Sequence, residues 1–309
     1  MYNTVLVTAF FDIKRESYRK NPRSVSAYIE YFKRWARIKN YLVVFCGNEE
    51  IKQEVLKIRK NYGLENMTKV IVIENIFDIE PDMYARMKQI ETDKYFLKFR
   101  KAKNVCENNA NYNYITNLKC WFLYRASLEE DITFLYVAWI DFGFDYNGEL
   151  FYDENDWSFE LQANHDIDKV QIYYMSDTLE ERPMFEVIRT VHPDSIAGGF
   201  FLCPIASITK LWDCIKKTIY SLLYIGLMDD DQPIFLLAGR ITPELFEFHK
   251  SYWFYAVTYY GGGHMKVDNN SLNLFGNDKS FHNLLRRVKR KLTKIFKRFF
   301  AGKKADNKK

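Results

Sequence analysis

Ile132-Thr133-Phe134-Leu135-Tyr136-Val137-Ala138-Trp139-Ile140-Asp141-Phe142-Gly143 is the stretch that decides the fold. Nine residues, mostly β-branched or aromatic, run without a polar break and then stop at a carboxylate. A continuous apolar run, rather than an alternating one, is the pattern of a strand covered on both faces, as in a parallel sheet. In open α/β sheets ligands bind beyond the carboxyl ends of the strands. Asp141 therefore stands where a metal or a phosphate-bearing ligand would be met. The same residues also suit a tight turn, with Gly143 supplying the turn conformation.

Outward from this strand, apolar runs alternate with helical spacing. Val5 to Phe11 reads as a first strand, Tyr41 to Cys46 as a second and Lys69 to Ile73 as a third. Between them, Val25 to Ile38 and Glu49 to Tyr62 carry helical periodicity, and Gly63 is a helix stop. Residues 82–128 are helical in character with a break near Glu107-Asn108-Asn109-Ala110-Asn111. Val170 to Tyr174, Ser195 to Leu202 and Ser251 to Tyr260 read as strands, and Ser207 to Tyr224 and Ile234 to Ala238 as helices. Strands alternating with helices of ten or more residues imply βαβ units and a mainly parallel sheet.

The 309 residues include 22 Tyr, 25 Phe and five cysteines, none in a C-x-x-C pair. That cysteine usage fits a reducing compartment and gives no zinc signature. The apolar start of the chain ends at Asp12 and reads as a strand, not a signal peptide. No apolar run approaches the roughly 20 residues that span a bilayer. The net charge of +5 hides an asymmetry: residues 284–309 hold twelve Lys or Arg and one Asp, so the rest of the chain is net acidic. A nucleic-acid-binding body would carry basic and aromatic residues interleaved across it, so no nucleic-acid partner is expected.

Six segments carry chemistry. Thr8-Ala9-Phe10-Phe11-Asp12, with Arg15 after it, ends the first strand, where nucleotide-binding folds begin to hold their ligand; neither a dinucleotide fingerprint nor a P-loop is present. Asp141 and Asp145 flank the glycine after the central strand, and oxygen ligands of this kind suit Mg²⁺ or Mn²⁺ shared with substrate phosphates. Gly198-Gly199 within an apolar strand permits close approach of a ligand or of another backbone. In Asp229-Asp230-Asp231-Gln232, one acid can cap the helix that follows, but three repel one another and call for a cation or a solvated loop. Gly261-Gly262-Gly263-His264 delivers one imidazole, a competent metal ligand, on a bare loop. In the tail, Leu285, Val288, Leu292, Ile295, Phe296, Phe299 and Phe300 share one helical face, and lysines and arginines fill the rest, the pattern of an interfacial membrane anchor.

Taken together, Thr8-Ala9-Phe10-Phe11-Asp12-Ile13, Trp139-Ile140-Asp141-Phe142-Gly143, Gly198-Gly199-Phe200 and Asp230-Asp231-Gln232 resemble the HtrL/YibB family of bacterial proteins. That family is associated with lipopolysaccharide and surface-glycan loci and is similar to glycosyltransferases of the GT-A fold. The resemblance covers residues 3–265. It implies a GT-A-like α/β domain over 1–276, with a mostly parallel sheet flanked by helices; the basic amphipathic tail, 277–309, lies beyond the resemblance and rests on its own residues. It implies transfer of a sugar from a nucleotide-sugar donor to a glycan or lipid-linked glycan acceptor, in the cytoplasm at the inner membrane. Thr8, Ala9, Phe11, Asp12, Arg15 and Asp141 would bind the nucleotide, and Asp141 and His264 would hold Mn²⁺ or Mg²⁺. Gly198, Gly199 and Gln232 would line the sugar, and Asp230 or Asp231 would be the base of an inverting reaction. Two positions depart from the pattern: Gly143 replaces the second carboxylate of a D-x-D motif, and Lys14 stands where glycine is expected. The missing carboxylate also admits a second reading, a catalytically weak glycan-binding or scaffold subunit of a polysaccharide assembly complex.

Overall fold

In the computed structural model, the residues described are 1–264 apart from 20–21, 102–105, 147, 149–153, 165, 176–182, 191–195 and 252. Internal contacts divide the chain into Met1–Lys266 and Val267–Lys309; the second unit, and with it the basic tail, lies outside the described residues.

The apolar run before Asp141 forms a strand, as its sequence predicts. In chain order the strands are β1 (Tyr2–Phe10), β2 (Leu42–Cys46), β3 (Thr68–Val72), β4 (Phe134–Ile140), β5 (Val170–Tyr174), β6 (Phe200–Pro204) and β7 (Phe246–Lys250). The helices are α1 (Val25–Trp35), α2 (Glu49–Asn61), α3 (Pro81–Glu91), α4 (Lys94–Phe99), α5 (Ala110–Asn117), α6 (Lys119–Ser127), α7 (Met184–Arg189), α8 (Ile208–Tyr224) and α9 (Asp231–Ile241). One sheet runs in the order β3-β2-β1-β4-β6-β5-β7. Parallel pairing joins β3, β2, β1 and β4. β6 is antiparallel to both β4 and β5, and β7 is parallel to β5. Six strands therefore run one way and β6 runs against them.

Alternation along β4 assigns its side chains to two cores. Val137 and Trp139 face the layer that includes Met83, Tyr114, Phe122, Leu211 and Phe235 of α3, α5, α6, α8 and α9. Tyr136, Ala138 and Ile140 face the layer of α1 and α2, with Phe32, Trp35, Val55 and Ile58. Burial on both faces is why β4 reads as a continuous apolar run.

Local signals account for the helix ends. Ser24 and Asn48 accept hydrogen bonds from the backbone N–H groups of Ala27 and Ile51, capping α1 and α2. Gly63 follows α2 at φ +70°, the left-handed conformation that stops a helix at little steric cost. Asn109, in the expected break, caps α5 by accepting from Tyr112 N–H. Behind α2, the buried Arg59 guanidinium donates to the carbonyls of Ala36, Ile38, Asn40 and Met67 and to Thr68 Oγ1, tying α1, α2 and β3 together.

Two expectations in the second half are corrected. Ser251 to Tyr260 is not a strand: Tyr255–Tyr260 forms a 3₁₀ helix. Ala256, Val257 and Tyr260 are buried there, and the Tyr260 hydroxyl bonds that of Tyr173. Burial of one three-residue face displaces ladder pairing, and β7 forms earlier, at Phe246–Lys250. The strand expected from Ser195 to Leu202 begins at Phe200. Ile196 makes only an isolated bridge to Tyr174, and Gly198-Gly199 lies in the turn before β6.

Candidate functional site

The chain builds β1, moves outward to β2 and β3, and then returns to lay β4 on the other side of β1. The carboxyl ends of β1 and β4 thus form the topological switch point, where open α/β sheets place their ligands. Asp12 and Arg15 follow β1 there, and Asp141 follows β4.

Asp141 is held from three sides. Its N–H donates to the Gly199 carbonyl (2.9 Å), extending the β4–β6 ladder by one residue. Trp139 Nε1–H donates to its Oδ1 (2.6 Å), and Lys119 Nζ lies 2.9 Å from the same oxygen. Phe142, the next residue, turns the other way and stacks on Phe32 at 4.6 Å, which anchors the loop. Gly143 passes against Tyr28, where a Cβ would stand 3.0 Å from the ring.

Lys119 opens α6 and is buried. Besides Asp141, its ammonium donates to Asp231 Oδ2 (2.8 Å) and to the Gly198 carbonyl (2.8 Å). Burial opposes its charge, but Asp141 and Asp231 outweigh that, and its pKa rises above the ordinary lysine value. Asp231 moves up as well: burial is the main cause, Lys119 pulls it down and Asp141 pushes it up. Two carboxylates share one ammonium. The side chain of Asp141 is 32% exposed and that of Asp231 only 6%, so Asp141 is the carboxylate that a ligand reaches.

Each acid of the triplet has its own role. Asp229 forms a buried pair with Arg100 (2.5 Å) and accepts the N–H of Asp230. Asp230 caps α9 through the N–H of Gln232 (3.2 Å). Asp231 takes Lys119. The need for a cation or a solvated loop was legible in the triplet; the cations themselves, Lys119 and Arg100, were missed because neither sits in a recognisable motif. Gln232 Oε1 is buried and has no hydrogen-bond partner among the described residues.

Arg15 is the other cation of the switch point. It donates to the Tyr28 hydroxyl (2.6 Å), reaches Cys106 Sγ at 3.9 Å and lies 5.0 Å from the Tyr112 ring centroid. Among the described residues no carboxylate pairs with it, and its Nε is buried without a hydrogen-bond partner. A guanidinium stays charged throughout the usable pH range. Tyr112 links Arg15 to the acids: burial drives its hydroxyl well above the ordinary tyrosine value, Asp230 and Asp231 add to the rise, and Arg15 opposes it.

The other expected residues are placed as follows. Asp12 closes its own turn, with Oδ1 accepting the Lys14 N–H (2.8 Å) and Oδ2 pairing with Lys14 Nζ (2.6 Å). Lys14 has φ +57°, the conformation for which glycine is favoured, so the departure noted in the sequence falls at a left-handed position. Phe11 lies in the core, stacked on Phe122 at 5.8 Å. Ala9 is half-buried, and Thr8 is buried with a hydroxyl that has no partner among the described residues. A Cβ on Gly198 would lie 2.3 Å from Asp231 Oδ2, and one on Gly199 3.2 Å from Trp253 Nε1; these glycines make room for protein side chains.

The resemblance implies a divalent cation at Asp141 and His264. His264 Nε2 instead bonds the Asp156 carbonyl (3.0 Å), and its ring meets Phe159 edge-on. Among the described residues no three His, Cys, Asp or Glu side chains converge on one point. The oxygens of Asp141 and Asp231 that would ligate an ion already surround an ammonium. As paired here, these residues do not fit a divalent cation.

These features define an α/β protein with a buried lysine–carboxylate cluster, and an arginine that pairs with no carboxylate among the described residues, at the switch point of a mixed sheet. The chain belongs to the HtrL_YibB family, described as a bacterial protein of unknown function, which matches residues 2–261. It is similar to Protein HtrL of Escherichia coli (strain K12), 27% identical over 271 residues that cover 82% of this chain and 90% of that protein.

Proposed function

We propose that this protein is a glycosyltransferase that moves a sugar from a nucleotide-sugar to a surface-glycan acceptor such as lipopolysaccharide or capsule. The observation that carries this reading is Arg15, a partly buried guanidinium that follows β1 at the switch point and has no carboxylate partner among the described residues. A cation so placed suits a diphosphate, which a guanidinium binds through paired hydrogen bonds. Asp141, after β4 at the same switch point, would meet a sugar hydroxyl. In an inverting transfer Asp141, the exposed carboxylate, accepts the proton of the attacking hydroxyl. Of the two acids expected as the base, Asp231 stands behind Lys119 and Asp230 is engaged as a helix cap. Gln232 Oε1, unpaired, is free to accept from a sugar hydroxyl. The acceptor class rests on the family resemblance. No helix among the described residues is long and apolar enough to cross a membrane, and the proposed contact with the inner leaflet belongs to the basic tail.

The test is a thermal-shift and calorimetric panel of UDP, GDP, CMP and their sugar conjugates. One nucleotide diphosphate raises Tm, and Arg15→Met removes that shift while leaving the unliganded melt cooperative. Asp141→Asn keeps nucleotide binding and loses turnover. The reading is wrong if no nucleotide binds, or if Arg15→Met binds as well as the native chain.

A further inference from the structure

We propose that Lys119 is the built-in cation of this site: its ammonium holds the place between Asp141 and Asp231 that a divalent ion would otherwise take. The protein then handles its ligand without a metal at Asp141. This inference holds whatever the ligand is.

The geometry is a closed tripod. A lysine ammonium has three N–H donors and no acceptor. Lys119 Nζ has three oxygens around it: Asp141 Oδ1 at 2.9 Å, Asp231 Oδ2 at 2.8 Å and the Gly198 carbonyl at 2.8 Å. Two of these are hydrogen bonds and the third, to Asp141, is an ion pair, so Lys119 is enclosed by protein oxygens and acts through Asp141 as a positioning residue. All three partners are oxygens, the donors that a hard cation such as Mn²⁺ prefers. An ion and the ammonium would therefore compete for the same atoms.

The surroundings favour the ammonium. Trp139 orients Asp141 through its indole N–H, and its ring centroid lies 5.7 Å from Nζ. Gly198 lacks a side chain just where Asp231 Oδ2 needs room. Buried Cys120 and Phe122 follow Lys119 on α6 and fix its starting point. An incoming ion would have to drive a buried, charged side chain away from its three oxygen partners, at the large cost of leaving it unpaired.

The probe is Mn²⁺ alone, followed in the full chain by the electron paramagnetic resonance signal of the free ion. Native protein leaves that signal unchanged. Lys119→Ala vacates the tripod, exposes two carboxylates and a carbonyl, and binds one Mn²⁺ on the order of tenfold more tightly than native or better. Lys119→Ala combined with Asp141→Asn loses that binding. If Lys119→Ala melts early, added Mn²⁺ raises its Tm but not that of the double variant. Mn²⁺ binding by the native chain that Asp141→Asn abolishes would overturn the proposal. So would a Lys119→Ala protein that neither binds Mn²⁺ nor is stabilised by it. Nucleotide binding is read separately in the same samples, so failure of the glycosyltransferase reading leaves this result intact.

Discussion

Gly198→Ala adds a single methyl group and tests whether the charge cluster is packed as described. Its Cβ would stand 2.3 Å from Asp231 Oδ2, about 1 Å inside the 3.4 Å at which ordinary contact begins. Gly198 does not have a left-handed φ, so alanine is not strained by its own backbone and the effect comes from the clash. Asp231 cannot yield at its flexible end, because that end is the oxygen held by Lys119 at 2.8 Å. Two responses remain. The Asp231 carboxylate can leave Lys119, which breaks a buried pair and costs about 3–5 kcal/mol. Alternatively the Gly198–Gly199 turn can shift, which strains the Lys119 bond to the Gly198 carbonyl and the Asp141 bond to that of Gly199. The expected destabilisation is about 3 kcal/mol, or a fall in Tm of roughly 6–12 °C for a domain of this size. Urea titration of native, Gly198→Ala, Asp231→Ala and the double variant forms a cycle. In the Asp231→Ala background the clashing oxygen is absent, so Gly198→Ala should then cost less than about 1 kcal/mol. Equal costs in both backgrounds, or a Gly198→Ala protein as stable as native, would refute the packing argument.

Arg59→Met should leave the carbonyls of Ala36, Ile38, Asn40 and Met67 without this donor; at about 1–3 kcal/mol for a buried unsatisfied group, the loss should reach at least about 3 kcal/mol by urea titration, with nucleotide affinity unchanged in whatever remains folded. Asp145 is buried and its carboxyl is raised from 3.8, chiefly by burial, with the Gly148 N–H and Arg34 pulling it down. A carboxyl raised in the folded state contributes stability below its unfolded value, and that contribution is lost as pH rises through the folded value. Asp145→Asn should therefore match native stability near about pH 4 and gain on it by about pH 7; a deficit that widens as pH rises would contradict the sign. The full chain should sediment with anionic vesicles, not neutral ones, and be released by high salt, since surface attraction is screened within about 10 Å at 0.1 M; salt-insensitive binding to neutral vesicles would rule out the basic anchor.

What could be read without the fold is whatever a short window encodes. The apolar run before Asp141 predicted a doubly covered strand because burial on both faces removes polar residues from both, and β4 is that strand. Gly63 marked the end of α2, and the Asp229-Asp230-Asp231 run called for a cation or a solvated loop, because like charges in sequence are like charges in space. The position of Lys14 was flagged by the glycine expected there, and its φ agrees. Direction and partnership were not legible. Nothing in Phe200–Pro204 says that β6 runs antiparallel, and the aromatic run to Tyr260 has strand composition yet turns into a 3₁₀ helix because its buried face repeats every three residues. Lys119 is 112 residues from Asp231, and Arg100 is 129 residues from Asp229. Periodicity reports how deeply a segment is buried, whereas an ion pair reports which segments meet. Only the tertiary structure decided that the carboxylates at the switch point close on a lysine.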